Sequence, residues 1–315
     1  LSEIILQQTR VDQGLPYYER FIANFPTVHA LAKADQQDVL KTWEGLGYYS
    51  RARNLHFTAQ LVAFEMQGQF PSSYDGLLKL KGVGPYTAAA IASISFGEKT
   101  PVLDGNVFRF VARFFGVHDD ISDQKSRKSF LKILNELIPD IRPDLFNQAM
   151  MEYGATVCKP LPNCEGCIFL KDCYARKKGI ISDLPVKGKK TKVTEEFIDY
   201  IIFRHGDNTL MRKREIGVWQ GLFEFYSLIN EDVSSFINNN SVGYGPLSLL
   251  DSSPAIKHLL THKKLWITFH EVDVPNNTMM LALAKDLKLS IFSWQDVLTL
   301  PSAKVIVNHL RHVKF

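Results

Sequence analysis

Leu77-Leu78-Lys79-Leu80-Lys81-Gly82-Val83-Gly84-Pro85-Tyr86-Thr87-Ala88-Ala89-Ala90 is the stretch that decides how this 315-residue chain is read. A helical run stops at Gly82, turns tightly through Val83 and Gly84, and restarts with Pro85 near the first helical position. The small side chains of Ala88, Ala89 and Ala90 let two helices pack closely. Backbone amides freed by such a turn, together with the positive end of the second helix, suit a phosphate. This is the pattern of a helix–hairpin–helix, an element that holds a nucleic-acid backbone without reading bases. An ordinary helix–helix corner carries the same punctuation.

Outward from the hairpin, residues 1–176 are mostly helical in pattern. Apolar residues recur at three- and four-residue steps over Tyr17–Phe25, Ala52–Phe64 and Lys128–Ile138, with Pro- and Gly-containing breaks between them. Residues 177–195 have no apolar periodicity and read as a linker. Residues 196–315 mix strand-like segments, Phe197–Phe203 and Leu265–Val274, with helical ones, Met279–Leu287 and Ser302–Leu310, and form a smaller α+β domain. The chain is 45% hydrophobic and 22% charged, which excludes a mainly disordered or collagenous protein. The apolar run near Ala88–Phe96 falls well short of the ~20 residues of a membrane span. Net charge is +4, and all of it lies in 177–195, where six lysines face Asp183 and Glu195. The flanking regions balance, at 19 basic and 19 acidic residues before the linker and 12 of each after it.

Four further segments bear chemistry. Pro101-Val102-Leu103-Asp104-Gly105-Asn106-Val107 puts an Asp ahead of a helix just after the hairpin, as an N-cap or as a site residue. The chain's four cysteines, Cys158, Cys164, Cys167 and Cys173, are spaced Cys-x5-Cys-x2-Cys-x5-Cys. A disulfide framework would spread them over a small fold, so ligation in a reducing cytosol is the better reading, and 4Fe–4S and zinc both suit four thiolates. At the start, Leu1-Ser2-Glu3-Ile4-Ile5-Leu6-Gln7-Gln8-Thr9-Arg10-Val11 turns Ile4, Ile5 and Val11 to a core and groups Glu3 with Gln7 on another face, which in isolation reads as a solvated polar face before a site. Trp43-Glu44-Gly45-Leu46-Gly47-Tyr48-Tyr49-Ser50-Arg51-Ala52-Arg53 sets tyrosines beside arginines, which suits base stacking plus phosphate contact, and equally suits one of the tyrosines lying in the core.

Together, and in this order, these segments resemble the helix–hairpin–helix DNA glycosylases, specifically adenine DNA glycosylases of the MutY type. The resemblance implies a mostly α glycosylase and 4Fe–4S domain over 1–176, a basic linker over 177–195, and a Nudix-like lesion-recognition domain over 196–315. It implies a base-excision repair enzyme that removes adenine opposite 8-oxoguanine or guanine in duplex DNA. Glu3 would protonate the flipped adenine at N7 and Asp104 would stabilise the cationic sugar, with Tyr86 and Asn106 in support. Gln8 and Tyr48 would wedge into the duplex, Gly82, Val83 and Gly84 would hold phosphate, and the four cysteines would bind a 4Fe–4S cluster. Related bifunctional enzymes carry a Schiff-base lysine where this chain has Tyr86, which implies a monofunctional enzyme without β-lyase activity.

In the C-terminal part, Arg214 and Gly217-Val218-Trp219-Gln220-Gly221-Leu222-Phe223-Glu224-Phe225 match the family's Nudix-like domain. The paired glutamates of the phosphohydrolase box are absent, so nucleotide hydrolysis is not expected. Leu260-Thr261-His262 falls where the family has a Phe-Ser-His loop that senses 8-oxoguanine. The first cysteine gap is one residue shorter than the family's, and family members carry a further segment upstream of the catalytic motif, so the start at Leu1 implies missing sequence. The expected protein is a cytoplasmic, nucleoid-associated monomer without membrane contact. Its linker lysines would attract DNA phosphates, with a sliding clamp or repair partner as their second use. An endonuclease III-like enzyme for oxidised pyrimidines and a non-catalytic DNA-binding protein are the alternatives; Tyr86 and the added C-terminal domain argue against the first.

Overall fold

A computed structural model of the chain describes residues 1–188 and 193–312, apart from the side chains of 242–244. Through Lys178 every helix or strand of the described residues is helical. The periodic segments form helices Val11–Asn24, Ser50–Gln60 and Arg127–Leu137, the second continuing through a π turn over Leu61–Glu65. Helix Gly105–Phe115 shows why: Val107, Phe108, Phe110, Val111 and Ala112 are buried at helical spacing, and Phe108 meets Phe130 edge-on at 4.7 Å. It ends at Gly116, where φ is +73° and a Cβ would strike the Tyr174 ring at 2.5 Å. The opening helix is shorter than its pattern implies. It spans only Ser2–Ile5 and buries Ile4 and Ile5, whereas Val11 starts the next helix and is 68% exposed.

The chain forms two compact units, and their composition differs from the expected division at 176 and 195. One comprises Leu1–Gln8 and Phe57–Lys190; the other comprises Thr9–His56 and Thr191–Phe315. Thr9–His56 joins the sheet-bearing part because its polar groups are satisfied there. Lys41 Nζ donates to the carbonyls of Leu298 (2.9 Å) and Leu300 (3.1 Å), Ser302 N–H donates to Glu44 (2.9 Å), and Tyr49 OH donates to the Ser302 carbonyl (3.2 Å).

Most of the expected linker belongs to the helical unit. Leu184 is buried, Ile121 N–H donates to the Val186 carbonyl at 3.0 Å, and Gly188 N–H donates to Asp120 at 2.9 Å. Lys177 and Lys178 lie in the last turn of helix Tyr174–Lys178, where positive charge suits the helix's negative end. Lys189, Lys190 and Lys192 lie outside the described residues.

The second unit is built on one sheet of β1 (Thr194–His205), β2 (Asn208–Lys213), β3 (Phe223–Glu224), β4 (Tyr226–Ile229), β5 (Ser248–Ser252), β6 (Ile256–Leu259), β7 (Lys263–Asp273) and β8 (Ser290–Ser293). Its order is β3-β2-β1-β7-β5, with β4 on β1, β6 on β7 and β8 on β2. The two segments read as strands are its centre. β1 and β7 run parallel from Thr194↔Lys263 to Arg204↔Asp273, and Ile198, Tyr200, Leu265, Ile267 and Phe269 are buried at period two. Helices Asn277–Asp286 and Lys304–Leu310 fall where the sequence places them. Among the described residues no helix is long and apolar enough to cross a membrane.

Candidate active site

The hairpin is built as its sequence implies, with an earlier first stop. Helix Tyr74–Leu78 is capped by Ser73, the chain turns through Gly82 at φ +85°, and Pro85 opens helix Pro85–Phe96 behind extended Gly84. Gly82 and Gly84 are exposed, whereas Val83, Thr87 and the three alanines are buried, so the turn's backbone faces outward on an apolar base. Gln7 Nε2 donates to Thr87 Oγ1 at 2.9 Å and ties the chain's opening motif to the hairpin. The sequence pattern groups Gln7 with Glu3 and shows no partner for it as distant as Thr87.

Asp104 is both a cap and part of a polar cluster. As N-cap of helix Gly105–Phe115 it accepts Asn106 N–H at 2.9 Å and Val107 N–H at 2.7 Å on Oδ1, and Asn106 Nδ2 at 2.9 Å on Oδ2. Asn106 Oδ1 in turn accepts from Arg109 at 2.9 Å. Arg109 also donates to the carbonyls of Cys158 (2.6 Å) and Gly154 (2.5 Å). A Cβ on Gly154 would lie 2.6 Å from the Asn106 carbonyl, so the two helices meet only because this residue has no side chain. Arg109 and Gly154 went unnoticed in the sequence: an arginine within a helix reads as a solvated cation, and a helical glycine as a weak spot.

Electrostatics joins three of the expected residues. Burial, followed by the charges of Glu3 and then Asp104, pushes the Tyr86 phenol up to about 12, so Tyr86 lies in the field of both carboxyls. Burial likewise raises the Glu3 carboxyl above its ordinary value. The Tyr86 OH points at Met151 Sδ, 3.8 Å away. One half-buried acid, one carboxylate fixed by three hydrogen bonds and a neutral phenol is an arrangement that can protonate a leaving group and stabilise positive charge.

The four cysteines are free, half-buried and line one cavity together with Phe110, Tyr153 and Phe169. Burial and then the charges of Cys167, Cys158 and Cys173 raise the Cys164 thiol, which places all four sulfurs within one another's field. Buried Arg113 donates to the Lys159 (2.7 Å) and Pro160 (3.0 Å) carbonyls and to Cys158 Sγ (3.6 Å), and Tyr153 OH lies 3.1 Å from Cys167 Sγ. Among the described residues, no group of three or more His, Cys, Asp or Glu converges as the ligands of a single ion. A shared cavity lined by four thiols still fits a multi-atom cluster by its donor chemistry.

Gln8 and Tyr48 share an unusual backbone: both are exposed and both are held at positive φ, +57° and +49°. Positive φ in a non-glycine residue is a strained state worth about 1–3 kcal/mol that tends to mark functional loops. Leu260, Thr261 and His262 form the turn between β6 and β7, closed by Leu260 N–H on the Lys263 carbonyl at 2.8 Å. Within the second unit, Tyr48 OH lies 3.3 Å from Thr261 Oγ1, which brings together two motifs 213 residues apart. Arg214 lies elsewhere in that unit, paired with Arg212 around buried Glu224. Glu3, Tyr86, Asp104, Asn106, the hairpin, Gln8 and the cysteines all belong to the first unit.

Comparison with known proteins gives the family. Residues 1–136 match the family described as HhH-GPD superfamily base excision DNA repair protein. An adenine DNA glycosylase of Buchnera aphidicola subsp. Acyrthosiphon pisum is 36% identical over 234 residues, 74% of this chain and 67% of that protein. A second, from Buchnera aphidicola subsp. Baizongia pistaciae, is 32% identical over 88% of this chain and 80% of its own length. Among solved structures, a thermostable thymine-DNA glycosylase superposes with a TM-score of 0.51 at 27% identity, covering 56% of this chain and 82% of the other. Identity of 36% and 32% along two thirds or more of these relatives' own length leaves one assignment: the chain belongs to the adenine DNA glycosylase family of helix–hairpin–helix base-excision repair enzymes.

Proposed function

We propose that this enzyme excises adenine mispaired with 8-oxoguanine or guanine from duplex DNA, hydrolysing the N-glycosidic bond without cutting the strand. The observation that carries the reading is the Tyr86 phenol lying in the joint field of half-buried Glu3 and capped Asp104. The adenine is turned out of the stack, since its leaving-group nitrogens are unreachable within a duplex. Glu3, whose carboxyl burial raises above its ordinary value, gives its proton to N7, and the C1′–N9 bond breaks with its electron pair leaving on the base. Asp104 stabilises the cationic sugar until water adds at C1′, leaving an abasic site. Tyr86 has no amine with which to capture the sugar as a Schiff base.

Asn106 and Arg109 keep the Asp104 carboxylate in place. The turn Gly82–Val83–Gly84 holds a backbone phosphate, and Gln8 and Tyr48 enter the stack beside the mispair. Thr261 faces the base opposite the adenine, a reading supported by its contact with Tyr48. Cys158, Cys164, Cys167 and Cys173 would hold a 4Fe–4S cluster, whose contribution when bound is to fix the loop 158–173 against Arg113.

The test is a duplex with one 8-oxoguanine:adenine pair, treated with alkali after incubation to reveal abasic sites. Wild type yields strand breaks only after alkali, and Glu3→Gln yields essentially none. A wild type that leaves the duplex as intact as Glu3→Gln does would overturn the assignment. Metal analysis together with visible absorption separates an iron–sulfur protein from a colourless zinc one.

A further inference from the structure

Two helices of the second unit turn polar faces to one hollow. Tyr17, Arg20 and Asn24 stand at i, i+3 and i+7 on helix Val11–Asn24. Lys304, Asn308 and Arg311 stand at i, i+4 and i+7 on helix Lys304–Leu310 and its C-cap. These side chains line a space of about 590 Å³ together with Lys41, Thr42 and Glu44. Glu44, the acid of this lining, is neutralised: it pairs with Lys41 at 2.9 Å and accepts Ser302 N–H at 2.9 Å. Among the described residues, no carboxylate pairs with Arg20, Lys304 or Arg311. Arg20 is instead held over the Tyr17 ring, 5.0 Å from its centroid. The hollow therefore carries three cations whose charge is not balanced locally.

A smaller hollow of about 170 Å³ adjoins the first and shares Lys41, Glu44, Val307 and Arg311 with it. Val297, Leu298, Leu300 and Leu310 give it an apolar wall. Lys41 Nζ donates to the Leu298 and Leu300 carbonyls, so backbone oxygens that would repel an acid are already paired and the rim is fixed in advance. An apolar void of about 150 Å³ suffices for a benzene ring, so this hollow matches one bulky apolar side chain. A phosphodiester backbone would pair with the cations and leave the apolar hollow empty, whereas an acidic peptide fills both. We infer that the joined hollows are a docking site for an acidic segment of a partner protein. Its carboxylates face Arg20, Lys304 and Arg311, and one bulky apolar residue sits against Leu298 and Leu310. None of the residues proposed for excision lines either hollow, so the site gives the enzyme a recruiting contact and takes no part in the chemical step.

The experiment titrates a fluorescein-labelled peptide, Asp-Asp-Asp-Gly-Phe, with the full chain and reads anisotropy. Micromolar binding is expected, weakening as salt rises. Alanine in place of the peptide's phenylalanine should weaken it roughly 10- to 100-fold, as loss of one buried aromatic side chain does. Asparagines in place of its aspartates should weaken it by about tenfold or more. On the protein, Arg311→Glu removes a cation common to both hollows. It should cost the acidic peptide at least about tenfold in affinity and leave the weaker binding of the asparagine peptide unchanged. Leu298→Asp, at an exposed position, should erase the advantage of the phenylalanine peptide over the alanine one. Thermal melts check that both variants are folded, and the peptide-side comparisons need no variant at all. No saturable binding below about 1 mM, or binding indifferent to the phenylalanine, overturns the inference. So does a short oligothymidylate that displaces the peptide and loses affinity with Arg311→Glu, since the groove would then be a nucleic-acid contact.

Discussion

Glu3 can act as an acid only in its protonated form, and burial extends that form toward neutral pH. The sign follows directly. Excision is fast below the raised pKa and declines as pH increases through it, because the ionised carboxylate has no proton to give. The pH profile of single-turnover excision should therefore show a descending limb above the ordinary carboxylate range; a flat profile through neutrality would count against Glu3. Glu3→Gln should lose about 10²- to 10⁴-fold in rate. At Tyr86 the expectation is a negative one: borohydride added during turnover should trap no covalent protein–DNA adduct, and an adduct on a gel would refute monofunctional chemistry. Glu3 is legible in the sequence only through its neighbours, because a lone glutamate on a short helix has the same pattern as a solvated face. What sets it apart is its burial, a property of the assembled unit.

At the scale of elements, the proposed mechanism makes the helix that starts at Gly105 tie stability to catalysis at a single carboxylate. Asn caps a helix about as well as Asp. Asp104→Asn should thus keep the cap and lose only the bond from Asn106 Nδ2, lowering the melting temperature less than Asp104→Ala does, while lowering excision by at least about 10²-fold through loss of the charge facing the sugar. Asp104→Ala should also lose the cap, worth about 0.5–2 kcal/mol by denaturant titration. Equal stability losses in the two variants would show that the cap geometry is misassigned. Gly154→Ala forces helix Pro143–Thr156 away from the Asn106 carbonyl and should cost about 1–3 kcal/mol, with a matching loss of excision. The hairpin, the long helices and the cysteine loop were readable because each is written locally, in a 3.6-residue period or in Gly and Pro punctuation. β1 and β7 were readable for a similar reason. β3, β4, β5, β6 and β8 run for two to five residues, too short to show a period, and β5 is exposed throughout. The Arg109 network was hidden because it depends on two helices, some fifty residues apart in sequence, meeting at Gly154.

For the molecule as a whole, local charge is written in the sequence and the division into units is not. The net +4 does reside in 177–195, yet residues 177–188 are bound to the helical unit. Sequence order also kept Thr9–His56 with its neighbours, because nothing in a helical pattern says which body it will pack on. A fragment beginning at Val193 lacks Thr9–His56 and leaves the groups that satisfy Tyr49, Glu44 and Lys41 unpaired. It should melt well below the corresponding transition of the intact chain, and adding the missing segment as a peptide should raise that temperature; an unchanged melt would show that the segment contributes nothing to the unit. This threading has a consequence during synthesis. Tyr49 and its partner Ser302 are 253 residues apart, so at ribosomal rates of about 5–20 residues per second the first must wait roughly 10–50 s for the second to emerge. Throughout that interval Thr9–His56 has emerged while the strands and helices that satisfy its polar groups have not, so this unit can close only once nearly the whole chain is made.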